Sequence, residues 1–133
     1  MLPKKYRFQV ENNTGATLDI NGGVTITALR YKFVNGVLTY ESSEAAIYSN
    51  AATIADGAFD ESSEVDNNSD AYLGGHFVSN VVATGGSPDG AVAIYLQATT
   101  DDGTTWQTDG EGIRMTTHNF TAVGTGIRFF EVG

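Results

Sequence analysis

The sequence predicts an all-β protein, an antiparallel β-sandwich of jelly-roll-like type with one long acidic loop, formed by a single domain over residues 1–133. Turn-forming pairs such as Gly22-Gly23, Asn35-Gly36 and Asp102-Gly103 recur about every ten residues. Several segments between them alternate apolar and polar residues, and none shows a sustained helical period with capping residues. The chain is long enough for one hydrophobic core and too short for a second domain.

The first predicted strand covers residues 5–10, where Tyr6, Phe8 and Val10 share one face and polar side chains share the other. The same alternation predicts a central strand at residues 91–99. Shorter apolar runs complete a set of seven or eight strands, at residues 24–34, 77–83, 113–120 and 126–132.

The predicted strand at residues 24–34 changes phase in its middle. Its apolar residues occupy even positions from Val24 to Ala28 and odd positions from Leu29 to Phe33. A one-residue change of phase predicts either a β-bulge or a strand that crosses from one packed surface to another.

A two-residue hairpin follows at Asn35-Gly36, because both residues tolerate the positive φ angles of a type I′ turn. The turn sets the register of the strands on either side. Cross-strand aromatic pairs and opposite charges each contribute roughly 0.2–1 kcal/mol to such a ladder. The predicted pairs are Val34 with Val37, Phe33 with Leu38, Tyr31 with Tyr40, and Arg30 with Glu41.

Residues 49–73 form the predicted long acidic loop, with a short strand around Ala58-Phe59. Within it, residues 66–70 alternate oxygen-bearing side chains as a calcium loop does, but the glycine and the bidentate glutamate of an EF-hand are missing. We interpret the segment as a solvated polar loop. An irregular Ca²⁺ site there, or near Asp101, Asp102 and Asp109, stays open as an alternative.

Charge is segregated along the chain, whose formal net charge is −9. No Lys or Arg occurs between Lys32 and Arg114, and 13 of the 16 acidic residues lie in that interval. This pattern indicates a solvated acidic surface that keeps the protein soluble. The alternative is that opposite patches meet in neighbouring copies or in a partner.

Composition argues against several classes of function. An acidic chain lacks the Lys and Arg that phosphate contacts need, so we expect no nucleic-acid partner. The absence of cysteine excludes disulfides and thiolate metal sites. Apolar runs are far shorter than the roughly 20 residues of a membrane span, and no export signal is visible, so we expect folding in a cytoplasm and no membrane partner.

The N-terminal residues 1–7 are predicted to form an extended arm that docks on a neighbouring subunit or on a larger shell. Leu2 and Pro3 would supply an apolar tip, and Lys4, Lys5 and Arg7 would supply three positive charges. These five residues are the predicted assembly contacts. The alternative is a frayed terminus of the kind that most domains have.

Residues 99–106 resemble an Asp-box, a tight β-hairpin in which an Asp side chain accepts hydrogen bonds from turn N–H groups and a Trp packs beneath. A single copy does not make a propeller, so we interpret the segment as a structural hairpin with Trp106 as its plug. The alternative is that Trp106 is exposed and stacks on a sugar ring.

Nothing in the sequence selects a catalytic site. His76 and His118 are isolated, whereas a metal site normally needs three or four ligands. The nucleophile elbow, the zinc-protease helix and the phosphate-binding glycine loop are all missing. We therefore expect a non-enzymatic protein with no catalytic residue, no metal and no cofactor.

Two stretches, residues 6–17 and residues 91–106, together with the hairpin and the closing Phe129-Phe130-Glu131-Val132, resemble small β-sandwich virion proteins of tailed bacteriophages. The resemblance implies a capsid decoration (cement) protein that binds the head shell in many copies. Its implied partners are the major capsid protein or other virion proteins and further copies of itself. Its implied location is the virion, assembled in the host cytoplasm.

Two alternatives to the decoration protein stay open. One is a tail or neck component, which the same resemblance also covers. The other is a carbohydrate-binding module for host recognition that uses Trp106. An enzyme is the third class considered, and no motif favours it.

Overall fold

The computed structural model describes residues 1–18, 23–50 and 52–133, so the turn predicted at Gly22-Gly23 lies partly outside the described residues. Two antiparallel five-stranded sheets pack together, which confirms the all-β sandwich. The jelly-roll type stays a prediction. In the described part of the chain, no helix is long and apolar enough to cross a membrane.

Ten strands form the two sheets, and the predicted segments appear among them with small changes of boundary. The predicted strand at residues 113–120 and the one at residues 24–34 have the expected bounds. In chain order the strands are β1 (Lys5–Asn13), β2 (Val24–Val34), β3 (Val37–Tyr40), β4 (Ala45–Ser49), β5 (Phe59–Glu61), β6 (Val65–Asp66), β7 (Gly74–Ala83), β8 (Gly90–Ala98), β9 (Ile113–Phe120) and β10 (Gly124–Val132).

The first sheet has the order β5-β1-β8-β9, and β6 also pairs with β1. The second sheet has the order β10-β7-β2-β3, and β4 also pairs with β2. One edge of each sheet is thus divided between two short strands. The opposite edge of each sheet is a single longer strand, β9 or β10.

An aromatic cluster fills the space between the sheets. Phe8 on β1 contacts Phe77 and Phe130 of the second sheet edge-on, with ring centroids 5.3 and 5.9 Å apart. Phe77 and Phe130 stack at 5.3 Å. Each such side chain contributes roughly 1.5–3 kcal/mol through burial, and the aromatic pairs add to this.

The hairpin at Asn35-Gly36 is confirmed. Both residues have positive φ, 50° for Asn35 and 78° for Gly36, as a type I′ turn requires. Beyond the four-residue ladder, Glu41 N–H donates to the Arg30 carbonyl at 2.9 Å. Val34 with Val37, Phe33 with Leu38 and Tyr31 with Tyr40 pair in the predicted register, and Arg30 forms an ion pair with Glu41 just beyond the ladder.

The change of phase in β2 does not produce a bulge at Ala28, since β2 pairs with β7 in one unbroken register from Val24 to Tyr31. A register shift does occur between Ile26 and Thr27, but only in the pairing with β4. The even residues from Val24 to Ala28 are buried in the core. The apolar residues that follow, from Leu29 to Phe33, lie on the other face of the sheet, where Phe33 is 60% exposed.

Residues 49–73 are more ordered than one long loop. The segment contains β5 and β6, which both pair with β1, and the predicted short strand at Ala58-Phe59 corresponds to β5. Ile54 forms an isolated bridge with Leu18 and is buried. The segment therefore covers one edge of the first sheet.

Candidate assembly surface

The outward face of the first sheet is covered by the segment that joins β8 to β9. Gln9 and Gln97 point to this face, yet both are fully buried. The Gln9 amide donates to Asp109 at 2.6 Å and accepts from the Gly110 N–H at 3.0 Å. This face is polar and internally hydrogen-bonded, so it offers little apolar surface to a partner.

Trp106 belongs to this covering segment and is partly buried. The Arg7 guanidinium lies 4.6 Å from the centroid of its ring, and Arg7 also donates to the Gln97 side chain at 2.8 Å. A cation–π contact therefore occupies one face of the indole. That placement agrees with a structural role for Trp106 and leaves less of the ring for stacking on a sugar.

The turn at residues 99–106 has the hydrogen bonds expected of an Asp-box. The Asp101 carboxylate accepts from the Thr105 N–H at 2.7 Å and from the Thr99 hydroxyl at 2.7 Å. Hydrogen bonds from Thr105 and Thr99 lower the pKa of Asp101 to about 2. The Asp101 side chain therefore stabilises the turn.

The N-terminal segment does not extend away from its own domain. Leu2 is only 3% exposed and belongs to the core, and its N–H donates to the Leu73 carbonyl at 2.7 Å. Residues 5–7 form the start of β1. The predicted arm is therefore wrong for this structure, because burying Leu2 is more favourable than leaving it in water. Assembly contacts by Pro3, Lys4, Lys5 and Arg7 stay a prediction.

The basic residues of the N-terminal segment meet the acidic interval within the same chain. The Lys5 ammonium lies 2.9 Å from Glu64 and 3.1 Å from Asp102, and Arg7 lies 4.0 Å from Glu61. The structure therefore shows opposite charges pairing inside the subunit, whereas the sequence left open a pairing between subunits.

The polar residues considered for calcium have structural partners. The buried Asn67 side chain donates to the carbonyls of Tyr72 and Pro3, at 2.9 and 3.3 Å, and accepts from the Tyr72 N–H. Asp66 accepts from the Asn68 N–H at 2.8 Å. Over residues 1–18, 23–50 and 52–133, no cluster of three or more His, Cys, Asp or Glu side chains is arranged to hold a metal ion.

His118 and Ser79 are brought together inside the core, an arrangement that the sequence did not reveal. The His118 Nε2 and the Ser79 hydroxyl lie 2.8 Å apart, and both side chains are at most 1% exposed. A Ser–His pair is the beginning of a nucleophilic site, but such a site also needs an orienting group and access for substrate. Because the pair is enclosed in the core, it serves to join the two sheets.

The outward face of the second sheet is apolar and largely uncovered. Phe33 is 60% exposed, Ile127 is 52% exposed and Phe129 is 79% exposed. Strand register places Phe129 beside Val78 and Phe33 beside Leu38. We define the outer apolar face as Leu29, Tyr31, Phe33, Leu38, Val78, Ile127 and Phe129.

An aromatic and histidine group lies beside these residues on the same face. The ring of Tyr40 stacks on His76 at 5.7 Å and meets Tyr31 edge-on at 5.6 Å. His76 Nδ1 lies 2.8 Å from the Glu131 carboxylate. Glu131 is the one carboxylate among the outward-pointing residues of β2, β3, β7 and β10, and its partner is His76.

The outer apolar face was missed as a site in the sequence, although its signal is present there. The sequence places the odd-numbered apolar residues of β2 on one face and Ile127 and Phe129 in a predicted strand, but it does not predict whether they are exposed. Only the pairing of β7 with β2 on one side and with β10 on the other shows that these residues share an outward face.

Comparison of the chain with protein-family models, with curated proteins and with solved structures finds no match. Functional inference therefore rests on the surface just described and on the sequence itself.

Proposed function

We propose that this protein is a non-enzymatic structural protein that docks on a larger protein assembly through its outer apolar face. The exposure of that face carries the proposal. Sandwich proteins that act alone cover such residues or replace them with charges, because an exposed apolar sheet face promotes association. Here Phe33 and Phe129 stay exposed on a chain with abundant acidic residues elsewhere.

The distribution of charge supports docking at this face rather than another. The chain has a net charge of −9, so most of its surface repels an acidic partner. The outer apolar face itself has no charged residue, and the one carboxylate beside it, Glu131, is contacted by His76. A partner surface that is apolar and uncharged fits this face without burying an unpaired charge.

We further propose that the assembly is the virion of a tailed bacteriophage, with the chain as a capsid decoration protein in many copies. The support is the sequence resemblance of residues 6–17 and 91–106, together with the small size of the sandwich. The partners would then be the major capsid protein or other virion proteins, with assembly in the host cytoplasm. A tail or neck position is the alternative within the same proposal.

The test uses phage particles from a culture that produces this chain. The particles are purified on a density gradient and analysed by quantitative mass spectrometry. We expect the chain to sediment with particles at many copies per head. Particles stripped of the chain should then rebind the purified protein. Recovery of the chain only in the unsedimented fraction would overturn the virion proposal.

A matched pair of variants tests the docking face. Phe33→Glu places a charge in the outer apolar face, and Ile113→Glu places one at an apolar residue of the first sheet that is 64% exposed. We expect Phe33→Glu to weaken rebinding at least tenfold and Ile113→Glu to rebind like the wild type. Equal rebinding by the two variants would reject this face as the docking site.

A further inference from the structure

The β10 strand is an open sheet edge of unusual length. It pairs with β7 on one side, in an unbroken register over nine residues from Gly124 to Val132, and among the described strands it has no partner on its other side. It contains no proline. The other long edge, β9, pairs with β8 through a register shift at Ile94 and Tyr95, which is one of the ways proteins protect an edge.

The side chains of β10 do little to discourage another strand. Arg128 and Glu131 are its only charged residues, and they cancel. The outward-pointing Ile127 and Phe129 are both mostly exposed. Natural edge strands are usually short, bulged, or protected by several charges or a proline. The β10 strand is neither short nor bulged and has no proline, and its two charges have opposite signs; the Arg128 guanidinium donates to the Ile127 carbonyl of the same strand at 3.3 Å.

We propose that a second copy of this chain pairs with β10 in antiparallel orientation about a two-fold axis, so that the second sheets of the two copies become one continuous sheet. The charge distribution favours this edge as the place where two copies meet. Two copies with a net charge of −9 repel each other over most of their surfaces. Along β10 the charges cancel, so identical edges approach there without that repulsion.

Two requirements limit the register of the proposed pair. Residues of equal parity must face each other, because a slip of one residue would turn core side chains outward. Full-length pairing of residues 124–132 would place Arg128 opposite its own copy, which is unfavourable. Centring the axis on Phe129 avoids this, keeps residues 126–132 paired, and places Phe129 opposite the Phe129 of the second copy.

This geometry also extends the proposed docking surface. The two outer apolar faces would lie side by side and form one face of twice the area. The dimer itself does not depend on the proposed virion function, whereas this doubling of the docking surface does rest on it.

Sedimentation velocity over a concentration series tests the dimer. The wild-type chain of 14.1 kDa should shift to twice that mass as concentration rises. Phe129→Glu places like charges on the axis and should raise the dimer dissociation constant at least tenfold. Phe33→Glu, at the far edge of the same face, should dimerise like the wild type. A wild-type chain that stays monomeric up to millimolar concentration would overturn the proposal.

Site-specific crosslinking tests the register, since the chain has no cysteine of its own. Phe129→Cys should give a covalent dimer with a short bismaleimide, because residues directly opposite have Cβ atoms about 5 Å apart. Glu131→Cys should not crosslink, since two copies of residue 131 would be about 13 Å apart along the strands. Phe33→Cys should not crosslink either, because Phe33 lies on β2, away from the β10 edge. Crosslinking of Phe33→Cys as fast as Phe129→Cys would reject edge pairing in favour of contact between faces.

The β10 dimer and the virion function can be rejected independently of each other. Loss of the dimer with unchanged binding of particles would leave the proposed function in place. A dimer that forms in solution while the chain is absent from particles would leave the β10 pairing in place and remove the virion function.

Discussion

The Ser79 hydroxyl lies 2.8 Å from Nε2 of His118 and joins β7 of the second sheet to β9 of the first across the core. The other ring nitrogen of His118, Nδ1, has no hydrogen-bond partner among the described residues. Burial, together with the smaller effect of the positive charge of Arg128, lowers the pKa of His118 to about 4. The imidazole is therefore neutral in the folded protein at physiological pH.

His118 should make the protein less stable as the pH falls from 6.5 to about 4. In that interval the unfolded chain binds a proton that the folded chain does not, so the free energy of unfolding decreases. The loss should reach about 2–3 kcal/mol by pH 4. His118→Gln, which keeps a hydrogen-bonding group near Ser79 but cannot titrate, should remove this slope in urea unfolding measured across the pH range. Parallel curves for the two proteins would contradict the assignment.

Gly36→Val should destabilise the hairpin between β2 and β3. Gly36 has a φ of 78°, and a β-branched residue is strained in that conformation by roughly 1–3 kcal/mol. Thermal unfolding should show a lower Tm. Gly124→Ala is the control, because Gly124 does not have a positive φ and a methyl group there meets open space. Equal Tm values for Gly36→Val and the wild type would contradict the type I′ turn.

Glu41→Gln should weaken the closure of the same hairpin. The Glu41 carboxylate accepts two hydrogen bonds from the Arg30 side chain, at 2.7 and 3.0 Å, and one from the Arg30 N–H. Burial alone would raise the pKa of Glu41, but the hydrogen bonds and charge of Arg30 outweigh it and lower that pKa. We expect a loss of about 2 kcal/mol at neutral pH.

The pH dependence provides the check on this pair. A lowered pKa means that the contribution of Glu41 is present above its ordinary value of 4.5 and is lost as the pH falls through the folded value. Wild type and Glu41→Gln should therefore converge in acid. A difference in stability that does not change with pH would show that the Glu41 charge is not responsible.

Leu2→Ala should destabilise the isolated domain by roughly 2–5 kcal/mol, since Leu2 is a core residue and its truncation leaves a cavity. Met1→Ala is the matched control, because Met1 is 83% exposed and should be close to neutral. Chemical unfolding of both variants gives the comparison. A neutral Leu2→Ala would restore the frayed terminus or extended arm that the sequence predicted.

Local patterns in the sequence were enough to predict the long strands and the hairpin, but not the short strands β4 and β6. Alternation in β1 and β8 follows from the two-residue period of a strand, and Asn35-Gly36 specifies its turn through backbone sterics that involve no distant residue. The hydrogen bonds of Asp101 likewise lie within one turn. These features are determined by neighbours in the chain, so the sequence alone was sufficient for them.

The tertiary structure decided which apolar residues are core and which are surface. Alternation shows that Leu29 and Phe33 share a face of β2, but it does not show whether a second layer covers that face. The answer depends on which strands pair and which sheets stack, and those contacts join residues far apart in sequence. For the same reason, the burial of Leu2 and the meeting of Ser79 with His118 appear only in the folded chain.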